Sequence, residues 1–151
     1  MPARAIPEGY HTVTPYLIVR GAETTIDFFK KAFAAELAFE PMKRPEGLVM
    51  HAEVTIGDSH VMISDANEQH PPIQSMLHLY VPDVDAVYRR AVAAGGRPVM
   101  EPMDQFYGDR AGAVQDPAGN HWYIATHKED VAPKELKKRA EEHLKKQGKA
   151  A

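Results

Sequence analysis

Cysteine is absent from this 151-residue chain. Disulfide scaffolds, thiolate zinc sites and a cysteine nucleophile are excluded with it. Long apolar runs are missing too: no stretch approaches the ~20 residues that a membrane-spanning helix needs, so no membrane partner is expected. The opening segment Met1-Pro2-Ala3-Arg4-Ala5-Ile6-Pro7 lacks the apolar core of a secretory signal, and the expected location is the cytoplasm. Neither sign of charge predominates. A net charge of −3 gives no general reason to bind nucleic acid. Disorder is excluded as well, because 44% hydrophobic and 26% charged residues match an average globular domain.

What the chain does have is histidine, eight in all, at positions 11, 51, 60, 70, 78, 121, 127 and 143. Without cysteine, any transition-metal site would have to combine these with carboxylates. The metal question therefore turns on where the histidines point.

The two halves of the chain resemble each other. Lys30-Lys31-Ala32-Phe33-Ala34-Ala35 reads against Arg89-Arg90-Ala91-Val92-Ala93-Ala94. Glu40-Pro41-Met42 recurs as Glu101-Pro102-Met103, and His60-Val61-Met62-Ile63-Ser64 as His121-Trp122-Tyr123-Ile124-Ala125, both at an offset of 61. The matches fall in the same order, which is the mark of an internal repeat.

Each half begins with a β-rich run, 13–19 and 77–81, that leads into a helix. In the second helix Val84, Val87, Tyr88, Ala91 and Val92 follow helical spacing behind an Asp83 cap, and Gly95-Gly96 ends it. In the first, Ile26, Phe29, Ala32 and Phe33 form the stripe, with Thr24 as the expected cap. Three strands follow in each half, at 36–42, 49–56 and 59–65, then 97–103, 110–115 and 120–126. Gly57-Asp58 and Asp116-Pro117-Ala118-Gly119 supply hairpin turns. Each half is thus β-α-β-β-β. The predicted organisation is an arm over 1–10, a first module over 11–65, a linker over 66–74, a second module over 75–127, and a charged C-terminal segment over 128–151. Within that segment 132–147 forms a helix with a thin stripe of Leu136, Ala140 and Leu144.

Strand side chains alternate between faces. One parity collects Val13, Leu17, Val19, Ala52, Val54, Ile56, Val61, Ile63, Leu77, Leu79, Val81, Trp122 and Ile124, an apolar set suited to lie under the helices. The other collects Thr14, Tyr16, His51, Glu53, His60, Met62, Met76, His78, Tyr80, His121 and Tyr123. Its tyrosines and methionines would expose much apolar area on a plain solvent face, so this parity is expected to line a cavity or groove.

A tandem β-α-β-β-β repeat that ends in Asp116-Pro117-Ala118-Gly119-Asn120-His121-Trp122 resembles the vicinal oxygen chelate superfamily. That superfamily includes glyoxalase I, bleomycin resistance proteins, fosfomycin resistance enzymes and extradiol dioxygenases. The stretch Gln105-Phe106-Tyr107-Gly108-Asp109-Arg110 is most similar to its PhnB-like branch. The resemblance covers about residues 11–127. It implies an α+β fold in which two βαβββ modules curl into an incomplete barrel around a concave site. It also implies a homodimer, in many members with modules exchanged between chains.

Enzymes of the superfamily place metal ligands on the first and last strands of each module. Counting from the turn aspartate and carrying the repeat across, the resemblance maps those positions to Thr14, Met62, Met76 and Tyr123. None is the histidine or carboxylate that holds a divalent metal, and a thioether suits only softer ions. No cofactor is therefore expected in the usual place.

Several readings stay open. Glu53, His78 and His121 have the composition of a displaced two-histidine, one-carboxylate site. The same three could serve as metal-free acid or base groups beside a carbonyl, or simply hold a ligand by hydrogen bonds. Tyr16, Tyr80 and Tyr123 could stack a planar ligand or fill a core. Arg110 with Asp109 could hold an anionic ligand, though a structural ion pair is the commoner arrangement, and His11, His70, His127 and His143 read as solvated residues on arms or linkers. The leading functional expectation is a small-molecule binder using Thr14, Tyr16, Glu53, Met62, Met76, His78, His121 and Tyr123. The alternative is a lyase or isomerase acting on a small carbonyl compound. Pure scaffolding has only the charged C-terminal helix in its favour.

Overall fold

The computed structural model describes residues 2–150. Its first half runs β1 (Tyr16–Val19), α1 (Ala22–Phe33), β2 (Glu36–Leu37), β3 (Met42–Lys43), β4 (Val49–Ile56) and β5 (Ser59–Asp65). The second runs β6 (Met76–Tyr80), α2 (Val84–Ala93), β7 (Arg97–Asp104), β8 (Asp109–Gln115) and β9 (His121–His127), and α3 (Pro133–Ala150) follows. The sheets share one topology: β1-β5-β4-β2, with β3 also on β4, and β6-β9-β8-β7. In both, the first strand lies parallel to the last, with Tyr16 opposite Met62 and His78 opposite Tyr123. The fold is therefore the expected α+β pair of βαβββ modules, and neither sheet closes into a barrel.

Three local expectations need correction. The first strand starts at Tyr16, not Val13, which is 81% exposed. Pro15 has no N–H to give to a ladder, so regular pairing begins after it. The expected strand over 36–42 is broken into β2 and β3, around Pro41, for the same reason. Thr24 does not cap α1. The chain leaves β1 through Gly21 in the left-handed region (φ 81), which starts the helix earlier. The capping carboxylate comes instead from the end of β5, where Asp65 accepts the N–H of Gly21 and Ala22 on one oxygen and that of Val49 on the other. Asp83 caps α2 as expected, accepting the Ala86 N–H at 3.1 Å.

The helices cover one face of the sheets, and a single hydrophobic core spans both modules. Leu17, Ile63, Phe28 and Phe29 belong to the first half, Val84, Val114, Trp122 and Ile124 to the second. The indole of Trp122 crosses the boundary. It stands 5.1 Å from the Phe29 ring and 4.8 Å from the Phe33 ring, both on α1. Asp116, buried in the hairpin turn before β9, fixes it: one carboxylate oxygen accepts the Trp122 Nε1–H at 2.9 Å. The other accepts the backbone N–H of Ala118 and Asn120, which closes the turn.

A second polar knot ties the far end of β9. Asp109, buried at the start of β8, accepts the Tyr80 hydroxyl at 2.9 Å and pairs with His127 Nδ1 at 2.7 Å. His127 Nε2 reaches Asp130 at 2.7 Å. His127 is thus exposed, as expected, but lies at the end of β9 with both ring nitrogens paired and not on an arm. Arg110 correspondingly turns away from Asp109 to Asp85 and Asp104. Gly108 allows this corner: its φ is +99°, and a Cβ there would lie 2.4 Å from the Glu129 carbonyl oxygen. The C-terminal helix is held by Arg139, which pairs with Glu129 and donates to the Phe106 carbonyl, and by His143 against Phe106. His143 is therefore packed, and not freely solvated as its position suggested.

Asp116→Ala leaves three buried or half-buried donors without an acceptor. It is expected to lower stability by about 2–4 kcal/mol in urea unfolding, well beyond an ordinary surface substitution. The His127 pair carries a pH dependence. Asp109 and then Asp130 raise the His127 pKa above its ordinary value. A raised folded pKa gives stability that is fully present below the unfolded value near ~6.5 and is lost as pH rises through the folded pKa. The wild-type melting temperature should accordingly exceed that of His127→Gln below about pH 6, with the gap narrowing as pH rises.

Candidate functional site

The face of each sheet turned away from the helices carries the polar and aromatic parity. In the first module a row runs across three strands, Glu53 of β4 opposite Met62 of β5, and Met62 opposite Tyr16 of β1. In the second module the matching row is Ala113 of β8, Tyr123 of β9 and His78 of β6. The next row is Gln115, His121 and Met76. Met62 and Tyr123 thus hold equivalent places, as the repeat predicts.

Glu53 is the centre of the first half-site. It is 6% exposed, yet no Lys or Arg pairs with it among the described residues. Its two oxygens are held instead by His51 and Tyr10. His51, two residues earlier on the same face, places Nε2 3.2 Å from Glu53 Oε1, and the Tyr16 hydroxyl lies 2.9 Å from His51 Nδ1. One tautomer satisfies both contacts: Nε2–H donates to Glu53, and Nδ1 accepts from Tyr16. The other carboxylate oxygen accepts the hydroxyl of Tyr10, from the N-terminal arm. That contact, with burial and the negative charge of Glu53, pushes the Tyr10 pKa up to about 12. The Tyr10 ring also stacks on His60, centroids 3.9 Å apart and planes at 18°. Arm and sheet together flank an open cleft of about 340 Å³ lined by Ile6, Pro7, Tyr10, His11, Glu53 and Met62, among others.

The second half-site is more open. His78 stacks parallel to Tyr123, centroids 6.4 Å apart, and tilts against Tyr80 at 4.9 Å. His121 Nε2 lies 3.2 Å from the Gln115 amide nitrogen, which can donate to it. Met76 and Tyr80 are 66% and 62% exposed. Tyr16, Met76 and His78 line a shared crevice of about 450 Å³ where β1 approaches β6. Asp109 raises the Tyr80 pKa through its hydrogen bond, with burial adding to the effect.

The expected site residues are therefore split. Thr14, Glu53 and Met62 gather under the arm, Tyr16 joins them through His51, and Met76, His78, His121 and Tyr123 lie on the second sheet. Within one chain Glu53 has His51 as its histidine neighbour, while His78 and His121 lie on the other sheet. Among the described residues no group of three or more His, Asp or Glu side chains is placed to hold a metal ion. Thr14, Met62, Met76 and Tyr123 offer a hydroxyl, two thioethers and a phenol, a donor set that does not fit a hard or borderline divalent cation. Parity had put His51 on the right face, but nothing in the sequence linked it to Tyr16 and Glu53. Tyr10 was missed because an arm outside the repeat has no strand to give it a face.

Comparison with known proteins fits this geometry. The profile of the Glyoxalase/Bleomycin resistance protein/Dioxygenase superfamily matches residues 10–124. The uncharacterized protein Rv0887c of Mycobacterium tuberculosis is 40% identical over 124 residues, which cover 74% of this chain and 72% of that one. Among solved structures, TioX from Micromonospora sp. ML1 superposes with a TM-score of 0.67 at 23% identity, over 78% of this chain and 98% of its own. A PhnB protein from Bacillus cereus gives 0.61 at 21% identity, over 77% and 99%. At these identities the structures speak for the fold, and the profile speaks for the family. The chain belongs to the glyoxalase/bleomycin resistance protein/dioxygenase superfamily.

Proposed function

We propose that the protein binds a small molecule between two half-sites, as a bleomycin-resistance-type binder of the PhnB-like branch, with no divalent metal at the superfamily positions. The observation that carries this reading is the division of the inner face. Each module offers one wall, polar around the buried Glu53 in the first, aromatic around the exposed His78 and half-buried Tyr123 in the second. Met76, Tyr80 and Tyr16 leave large apolar area exposed on one chain, more than a solvated sheet face usually carries. A homodimer that brings the first module of one chain against the second module of its partner would cover that area and enclose the ligand.

The proposal predicts a solution mass of twice 16.8 kDa by sedimentation equilibrium. Met76→Glu, which places a charge on the exposed wall, should shift the protein towards the monomer. In thermal-shift screening against aromatic and carbonyl metabolites, a true ligand at about 100 times its Kd should add about 2.7 kcal/mol of stability. That gain should survive dialysis against a chelator. One equivalent of Ni, Fe, Mn or Zn in protein purified without added metal would sink the metal-free reading.

A second reading rests on the Tyr16–His51–Glu53 chain. A buried carboxylate that fixes a histidine tautomer leaves Nδ1 as a base acting through Tyr16: the Tyr16 oxygen takes the proton beside a ligand carbonyl as its own hydroxyl proton passes to Nδ1. This is the lyase or isomerase alternative, with His51 joining Glu53 as the acid–base pair and His78 and His121 kept as ligand contacts. It predicts turnover of the bound carbonyl compound, reduced about 10²–10⁴-fold in His51→Gln. A ligand that binds saturably and is recovered unchanged would eliminate it.

A further inference from the structure

Tyr10 has the geometry of a bound ligand. Its ring lies flat against the His60 imidazole, its hydroxyl donates to the buried Glu53 carboxylate, and Met62 and Pro7 flank the same cavity. The rest of the arm has little hold on the sheet. Residues 2–9 are all exposed, and the Tyr10 N–H bonds only within the arm, to the Pro7 carbonyl at 3.1 Å. Gly9 (φ +85°) brings the backbone over His60 so closely that a Cβ would lie 3.2 Å from Nε2. The arm is therefore shaped to deliver one phenol to one carboxylate.

We infer that the first half-site recognises a phenolic ring whose hydroxyl donates to Glu53, and that Tyr10 occupies this place as an intramolecular stand-in until such a ligand displaces it. The inference rests on the proposed small-molecule function and names its ligand class. The chemistry selects a phenol over its neighbours. An aromatic acid would set a second carboxylate against a buried Glu53 whose charge no Lys or Arg offsets among the described residues. A plain hydrocarbon ring would leave Glu53 Oε2 buried without a donor. A phenol supplies the donor and the stacking face together. His51 already donates to Oε1, so one acceptor oxygen remains, and one hydroxyl satisfies it.

The test uses 4-methylphenol, the side chain of tyrosine as a free molecule, with toluene as the comparison. By calorimetry Tyr10→Ala should bind 4-methylphenol at least tenfold more tightly than wild type, because the tethered competitor is gone. Toluene should bind that variant at least tenfold more weakly, and adding Glu53→Gln should erase most of the preference for the phenol. Circular dichroism melts establish that each variant is folded. In the wild type, saturating 4-methylphenol should abolish the nuclear Overhauser contact between the stacked Tyr10 and His60 rings, and toluene should not.

Equal binding of phenol and toluene by folded Tyr10→Ala would overturn the inference. So would binding by that variant with no release of the wild-type arm, which would mean only that a truncated side chain leaves a hole. Failure of saturating 4-methylphenol to displace Tyr10, alongside a screening ligand that binds the wild type through the second module, would also overturn it and leave the wider small-molecule reading intact.

Discussion

The structure depends first on one buried hydrogen bond, from the Trp122 indole to Asp116. The indole is the wedge between the second sheet and the α1 aromatics, so its position sets how the modules meet. A carboxylate that held only the turn would shape a hairpin. One that holds the turn and the indole together turns a local motif into an inter-module joint. Asp65 does comparable work in the first module, binding the start of α1 and the start of β4 from the end of β5. Asp65 ties elements distant in sequence directly, whereas Asp116 bonds only within its own hairpin and reaches α1 through the indole it holds.

With the core fixed on the helix side, the opposite faces carry the remaining polar chemistry. Each contains a buried carboxylate served by a tyrosine hydroxyl and a histidine: Glu53 with Tyr10 and His51, Asp109 with Tyr80 and His127. These are not repeat equivalents. Glu53 sits mid-strand on β4, where the second module has Ala113 in the matching row, whereas Asp109 opens β8. The similar constellations serve different ends. Asp109 and His127 knit the edge of the sheet to the segment after β9, whereas Glu53 meets the N-terminal arm through Tyr10.

How much of this could be read from the sequence follows from the range of each interaction. The repeat, the helix stripes, the Asp83 cap and the burial of Trp122 depend on local pattern or on parity, and all were legible. The Thr24 cap was misplaced because the true cap comes from Asp65, more than forty residues away. The Arg110–Asp109 pairing failed for a similar reason. Adjacent residues on a strand point to opposite faces, so Arg110 finds Asp85 while Asp109 turns inward to Tyr80. Tyr10 obeyed no periodicity at all. The face carrying the site was legible; the partner of its central carboxylate was not.

That partner changes what the site is suited to hold. Glu53 stands directly across from Met62, the position where the superfamily resemblance puts a metal ligand, so a carboxylate is present one strand away from it. A metal-binding carboxylate needs lone pairs facing other anionic or imidazole donors around a common point. Here both oxygens already accept hydrogen bonds, from His51 and Tyr10, and although His11 also lines the cavity, no three His, Asp or Glu side chains among the described residues are grouped to hold a cation. Such an environment favours a ligand that brings its own O–H over a cation that would have to strip those donors away. Four of the eight histidines, whose number first raises the question of a metal, have separate roles. His51 is oriented by Glu53, His60 is a stacking platform, His127 is clamped between carboxylates, and His78 is an aromatic wall beside Tyr123. The chemistry that unites them is hydrogen bonding and stacking around a ring.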